Sequence, residues 1–448
     1  MREDIPTASR VKDTGIRALY ALPNRWQAWI DVEVALAQAQ AEVGMIPAEA
    51  AAAIADKAQL QLMDSARITE GFERTGHPLV PLVWELSRLV GDPHGGWVHW
   101  GATTQNIVES GDLLVIRKVH QVLRDLIRDT LLSMADLAER GADMPMAGRT
   151  HGQHAVPITF GYKVATWIDQ LMRHLDRMDD LKPRLFCAVL GGAAGTFASL
   201  GKDGPLVQQK MAERLGMTAV TNPSRAILDT LAENVTLLGL LAGTGSRIGR
   251  EIYDLMKTEF GEVEEPVPPG TVGSSTMPQK RNPKLAQDVV ALAAEIRSQI
   301  PLALEAVQTE HEADRTTSLM MQTAEEQASV AAGDMLVRIA TIMRDLKLHP
   351  ERMRRNIDLS GGLIMAEAVM LQLGKTIGRQ HAHDAVYDAA QESAIQSRSF
   401  AELLAEDPRV NEHLGSEEIE KLLDPTVYTG LCADIAREAA ARVRQRYA

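Results

Sequence analysis

Two cysteines are all that the 448 residues contain. Cys187 and Cys432 are too few and too far apart for a disulfide framework or a cysteine-rich zinc cluster, and their scarcity fits a reducing compartment. Aromatic residues are also sparse, at 4% of a chain that is 45% hydrophobic. Apolar content carried by Ala, Leu and Met instead of Tyr and Phe favours helices over sheets. Lys/Arg-rich runs are missing and the formal net charge is −13, so the electrostatic footprint for nucleic acid or an anionic membrane is lacking and neither is expected as a partner. Apolar runs such as Leu237–Ala242 are far shorter than a membrane span, and the start MREDIPTASR lacks the basic-then-apolar order of an export signal. A cytoplasmic location is the expectation.

What is present is helical periodicity. The stretch Arg25–Val43 carries apolar residues at three- and four-residue steps and is followed by Gly44, a suitable stop. Asp112–Arg140 repeats Ile116, Val119, Leu123, Ile127, Met134 and Leu137 before Gly141. Pro157 is placed to open a helix through Trp167, Leu171 and Leu175, and Leu228–Phe260 predicts another. These are of bundle length, and helical periodicity resumes over Leu285–Arg297 and again over Pro301–Leu346. Between Leu228–Phe260 and Leu285–Arg297 lies EVEEPVPPGTVGSSTMPQKRNPK, whose Gly, Pro and Ser content forces a loop; one this long inside a compact body is usually functional. After Leu348–Pro350 the helices shorten. Three segments are therefore expected: 1–111, an N-terminal helical domain; 112–348, a central bundle carrying the long loop; and 349–448, a small C-terminal domain.

That loop holds the strongest chemical signal. From Gly273 to Pro283 a turn presents hydroxyls, free backbone N–H groups, the Lys280 cation and the Asn282 amide together, a set suited to a carboxylate ligand or to a developing oxyanion. Thr103 and Thr104 precede a long helix and suit an N-cap. Other features are bland. His311–Asp314 reads HEAD, without the second histidine of a zinc-binding HExxH; His381 and His383 lack accompanying ligands; Gly191–Gly195 is weak as a nucleotide loop because no strand precedes it. Neither metal nor organic cofactor is expected.

The segment GSSTMPQKRNP resembles the GSSxMPxKxN loop of the fumarase/aspartase superfamily at every specified position. VHWGATTQN (Val98–Asn106) and GRTHGQHAVP (Gly148–Pro157) follow the family's order, as does the helix pattern over nearly the whole chain. The resemblance implies an all-α, three-domain fold with a central bundle of long helices, a homotetramer with active sites shared between subunits, and a small dicarboxylate substrate. It implies Ser274 as general base beside a carboxylate, giving an aci-carboxylate intermediate, with Ser275 as the alternative base. His151 stands where the adenylosuccinate lyase branch has its general acid, and a histidine suits protonation of a departing amine. Thr103, Thr104, His99, Gln153, His154, Ser275, Met277, Lys280 and Asn282 are implied to contact substrate, and His77 to approach the site. Asn106 departs from the family, which usually has Asp there.

Two branches compete. The start of the chain, LGGAAGTFASLG, AHDAVYDAA and LLDPTVYTG look most like 3-carboxy-cis,cis-muconate cycloisomerases, yet bacterial members of that branch have Trp where this chain has His151. Adenylosuccinate lyases carry a glutamate after the signature loop where this chain has Gln287. The expectation is a lyase performing β-elimination on a succinyl-type substrate with release of fumarate or a close analogue. Cycloisomerase is the alternative, and a non-catalytic scaffolding tetramer is the alternative of another class.

Overall fold

A computed structural model describes residues 4–268, 270 and 276–447. Helices dominate, and the strands among the described residues pair only as three two-stranded sheets. Six helices matter most for the site: α1 (Leu22–Glu42), α2 (Thr104–Arg140), α3 (Phe160–Leu185), α4 (Asp229–Leu255), α5 (Lys284–Glu305) and α6 (Arg315–Asp345). The fold is all-α.

The chain forms two compact units, each assembled from three stretches: 1–126, 174–243 and 291–337 in the first, and 127–173, 244–290 and 338–448 in the second. Helices α2 to α6 each pass from one unit to the other.

In the first unit α1 starts with Pro23 in its first turn and buries Trp29, Ile30 and Leu36. It lies so close to α2 that a Cβ at Gly111 would stand 2.4 Å from the Trp29 ring. A glycine inside a helix costs stability relative to alanine, and here it permits that approach. Helix α2 begins eight residues' worth of polar and β-branched sequence earlier than Asp112. Thr103, Thr104 and Gln105 resemble a loop in composition, but Thr103 accepts from the Asn106 N–H through its carbonyl (3.0 Å) and donates its own N–H to Asn106 Oδ1 (3.2 Å), a local closure that starts the helix. A two-residue strand, Cys187–Ala188, pairs in parallel with Thr218–Ala219 just before Gly191–Gly195, correcting the expectation that no strand precedes that turn. So short a strand has no periodicity to read.

The second unit corrects another boundary. Pro157 does not open α3; it lies in β2 (Gln153–Thr159), which pairs antiparallel with β1 (Pro145–Thr150). Proline lacks the N–H that a ladder needs, and it sits opposite Ala147 where the register shifts at a bulge. The helix begins after Thr159, whose Oγ1 accepts from the Tyr162 N–H at 3.2 Å. Further on, α5 continues through Pro301 and the break comes at 306–314 instead. There Asp314 Oδ1 accepts the Thr316 N–H at 2.8 Å and caps α6, which accounts for the aspartate of HEAD. The C-terminal part holds its own core around Leu373, Phe400, Leu404 and Val410. His381 and His383 are exposed on the helix Arg379–Gln396, with His383 beside Asp384. No single helix among the described residues is long and apolar enough to cross a membrane.

Candidate active site

A cavity of about 1390 Å³ opens in the first unit, walled by the start of α2, the start of α6, the turn before the helix Val80–Val90 and the segment 218–231. Thr103 and Thr104 line it. So does His77, whose Nδ1 accepts the backbone N–H groups of Leu79 (3.3 Å) and Val80 (3.1 Å). Two donors at Nδ1 leave the proton of a neutral imidazole on Nε2, which lies 3.4 Å from Thr104 Oγ1. Burial, together with the positive charges of His99 and Arg315, lowers the His77 pKa and favours that neutral form. The ring therefore presents an N–H to the threonine hydroxyl, leaving the hydroxyl proton free for a ligand oxygen.

Basic groups surround this end of the cavity. Arg225 donates through Nε (2.9 Å) and Nη2 to Gln105 Oε1 and through Nη1 to the Ala193 carbonyl (2.8 Å). Gln105 in turn donates to Glu109 and Ser318. Arg315, in the first turn of α6, also lines the wall, and neither arginine forms a salt bridge among the described residues. Further along α2, burial pushes the Glu109 carboxyl up to about 7, against the lowering effects of Gln105 and Arg225. Asp112 is held by Arg25 Nη2 at 2.7 Å and by the Trp29 indole at 3.1 Å. The cavity wall thus carries Arg225 and Arg315 together with the carboxyl groups of Glu109 and Asp112.

His99 is not among the residues lining the wall. It has a positive φ of 64° and its Nδ1 lies 2.6 Å from Glu33 Oε1. Burial opposes its charged form, but the Glu33 charge and hydrogen bond outweigh burial and raise the pKa.

The other residues that the sequence nominates for the site belong to the second unit. His151 and Gly152 are the two central residues of the β1–β2 hairpin, with φ of 54° and 77°. Both values are left-handed, the pattern of a type I′ turn, and histidine is one of the few non-glycine residues enriched there. His151 and Gln153 are exposed at this tip and His154 is half-buried. Burial and the Arg149 charge lower the His154 pKa, against Glu262. The hairpin is anchored by Arg149, whose guanidinium pairs with the fully buried Glu262 at 2.7 and 3.1 Å and lies 4.8 Å from the Phe260 ring centre. Met277 and Lys280 are exposed, Asn282 is half-buried, and the Lys280 N–H donates to the Met277 carbonyl at 3.0 Å. Ser274 and Ser275 lie outside the described residues. Buried Glu265 accepts the N–H groups of Leu285 (3.0 Å) and Ala286 (3.1 Å), which fixes where α5 starts after the signature segment.

Gln105, Glu109, Arg225, Arg315 and Ser318 escaped sequence reasoning. Gln105 and Glu109 follow Thr104 on one helix face, which was a readable signal; Arg225 and Ser318 come from distant segments and had none.

The chain's similarity to known proteins gives its class. Residues 10–298 match the family described as Lyase, and residues 362–439 that described as Adenylosuccinate lyase C-terminus. The N-acetyl-S-(2-succino)cysteine lyase of Enterococcus italicus is 37% identical over 429 residues, covering 95% of this chain and 93% of that protein. The 3-carboxy-cis,cis-muconate cycloisomerase of Pseudomonas aeruginosa is 38% identical over 421 residues, covering 93% and 91%. Among solved structures, a fumarate lyase from a Mesorhizobium species superposes with a TM-score of 0.89 at 34% identity, covering 96% of this chain and 98% of that one. The class is therefore lyase. The chain belongs to the fumarase/aspartase superfamily.

Proposed function

We propose that the enzyme eliminates a leaving group from a succinyl-substituted small molecule and releases fumarate or a close analogue. The observation that carries this reading is the start of the 37-residue helix α2, where Thr103, Thr104 and His77, whose Nε2 lies 3.4 Å from Thr104 Oγ1, line a cavity also lined by Arg225 and Arg315. That corner suits a dicarboxylate. The intact signature segment supplies the rest: Ser274 takes the proton on the carbon beside a carboxylate, the electron pair moves into that carboxylate as a dianion, and Ser275, Met277, Lys280 and Asn282 surround it. The pair then returns to form the carbon–carbon double bond as the bond to the leaving heteroatom breaks, and His151 protonates that atom. Gln153, His154 and His99 are read as supporting contacts. A homotetramer with sites shared between subunits belongs to the same reading and is supported by the superfamily resemblance.

Relatives whose names specify a succinylated thiol and a succinylated adenosine compound support the succinyl part. Cycloisomerisation is a second reading, favoured by the 38% identity to the Pseudomonas aeruginosa cycloisomerase; the histidine at position 151 favours elimination over it.

The test is ultraviolet absorbance at the fumarate and muconate bands, with the parent and Ser274→Ala. The panel is adenylosuccinate, argininosuccinate, N-acetyl-S-(2-succino)cysteine, aspartate, malate and 3-carboxy-cis,cis-muconate. Fumarate release from a succinyl compound, lost in the variant, is expected. Consumption of muconate alone moves the assignment to cycloisomerase, and release undiminished in Ser274→Ala refutes the serine's role.

A further inference from the structure

Asn106 is fully buried beneath the Thr103–Thr104 corner. Its Oδ1 accepts two backbone N–H groups, from Thr103 and from Gly192, both at 3.2 Å. Those donors fix which end of the amide is oxygen. The Nδ2 group consequently points the other way, and it finds no acceptor among the described residues. A buried donor without a partner is costly, and an aspartate in the same rotamer would accept the same two N–H groups and leave no such donor.

Position 106 is therefore occupied by the residue that local hydrogen bonding favours less. The charge explains it. It lies in the first turn of α2, where the helix dipole and unpaired N–H groups favour a negative side chain. Two backbone donors together with the helix start would hold a carboxylate there ionised. Such a charge would sit next to Thr103 and Thr104 and cancel the positive potential that those hydroxyls, Arg225 and Arg315 present to the cavity. A neutral amide keeps the geometry and withholds the charge.

We infer that Asn106 is a positioning residue that leaves the helix start electrically unneutralised, so that the corner binds a substrate carboxylate more tightly than an aspartate at 106 would allow. This rests on the reading of that corner as a carboxylate site under Proposed function. Two roles are separable: the Oδ1 acceptor ties the Gly191–Gly195 turn to the threonines, and the missing charge sets affinity.

The experiment measures fumarate binding by calorimetry, and melting temperature, for the full-length parent, Asn106→Asp and Thr104→Val. One added charge within a helix turn of the site weakens binding about fivefold to tenfold at low salt. Asn106→Asp is expected to show that loss with a melting temperature equal to or above the parent's, and with the deficit shrinking as salt is added. Unchanged affinity in Asn106→Asp, while Thr104→Val binds more weakly, overturns the inference and leaves the carboxylate corner standing. Unchanged affinity in Thr104→Val overturns the corner itself. Weaker binding with a lowered melting temperature in Asn106→Asp assigns the effect to disturbed packing and also overturns the inference.

Discussion

Replacing Arg149 by methionine tests what holds the histidine-bearing hairpin in place. Arg149 supplies two of the hydrogen bonds that reach the Glu262 carboxylate; a third comes from Asn356 Nδ2 at 2.7 Å. Glu262 is completely buried, so removing the guanidinium strands a carboxylate with one neutral donor. Breaking a buried ion pair from one side costs about 3–5 kcal/mol, most of it the penalty of the abandoned charge. The double variant Arg149→Met, Glu262→Gln removes that charge while keeping an acceptor for Asn356. It is expected to recover about 2 kcal/mol or more of the loss. Urea unfolding followed by far-ultraviolet circular dichroism, on the parent, both single variants and the double, gives the cycle. Since the anchored hairpin presents His151, Arg149→Met should also lower kcat more than it raises KM. A cost below about 1 kcal/mol, or a double variant as unstable as the two singles added together, refutes the account of the hairpin as held by a buried charge pair.

Two further outcomes follow from Glu325 and His77 in the first unit. Glu325 accepts hydrogen bonds from Asn234 and Ser329, and burial outweighs them in lifting its carboxyl to about 7. A carboxyl with a raised folded pKa stabilises the native state fully below its ordinary value of 4.5 and loses that contribution as pH rises toward 7. Glu325→Gln should therefore gain melting temperature relative to the parent across that interval. His120, lowered by burial to about 4, has the opposite slope but is common to both proteins; a difference that is flat with pH, or falls, rejects the assignment. His77→Asn keeps an acceptor for the Leu79 and Val80 N–H groups but cannot reach Thr104. It should leave the melting temperature within a few degrees of the parent and cut kcat/KM about tenfold or more; equal kcat/KM would remove His77 from the site.

Much of this molecule was legible from its residues. The long helices follow from apolar spacing, and α1 and the end of α2 fall within a few residues of where Gly44 and Gly141 place them. The failures have local physical causes. The β1–β2 hairpin was hidden because GRTHGQHAVP has no alternating pattern and because its turn depends on a histidine in a left-handed conformation. Pro157 reads equally well as a helix opener or as a bulge residue, and only pairing with Ala147 decides. Pro301 reads as the opener of a second helix, since proline suits a first turn, yet it lies inside α5 and the next helix starts at Arg315 behind the Asp314 cap. At the cavity, Thr103 and Thr104 were readable by motif, whereas Arg225 reaches them only through the fold.

The interleaving of the two units bears on how the chain is made. Neither can be completed from a contiguous stretch: the first needs residues as late as 337, and the second gathers its pieces from 127 to the C-terminal segment. A growing polypeptide cannot finish either body before residue 337 has been made. Its amphipathic helices must wait with their apolar faces unpaired, so this protein depends on long-range closure late in translation and is exposed to aggregation until then.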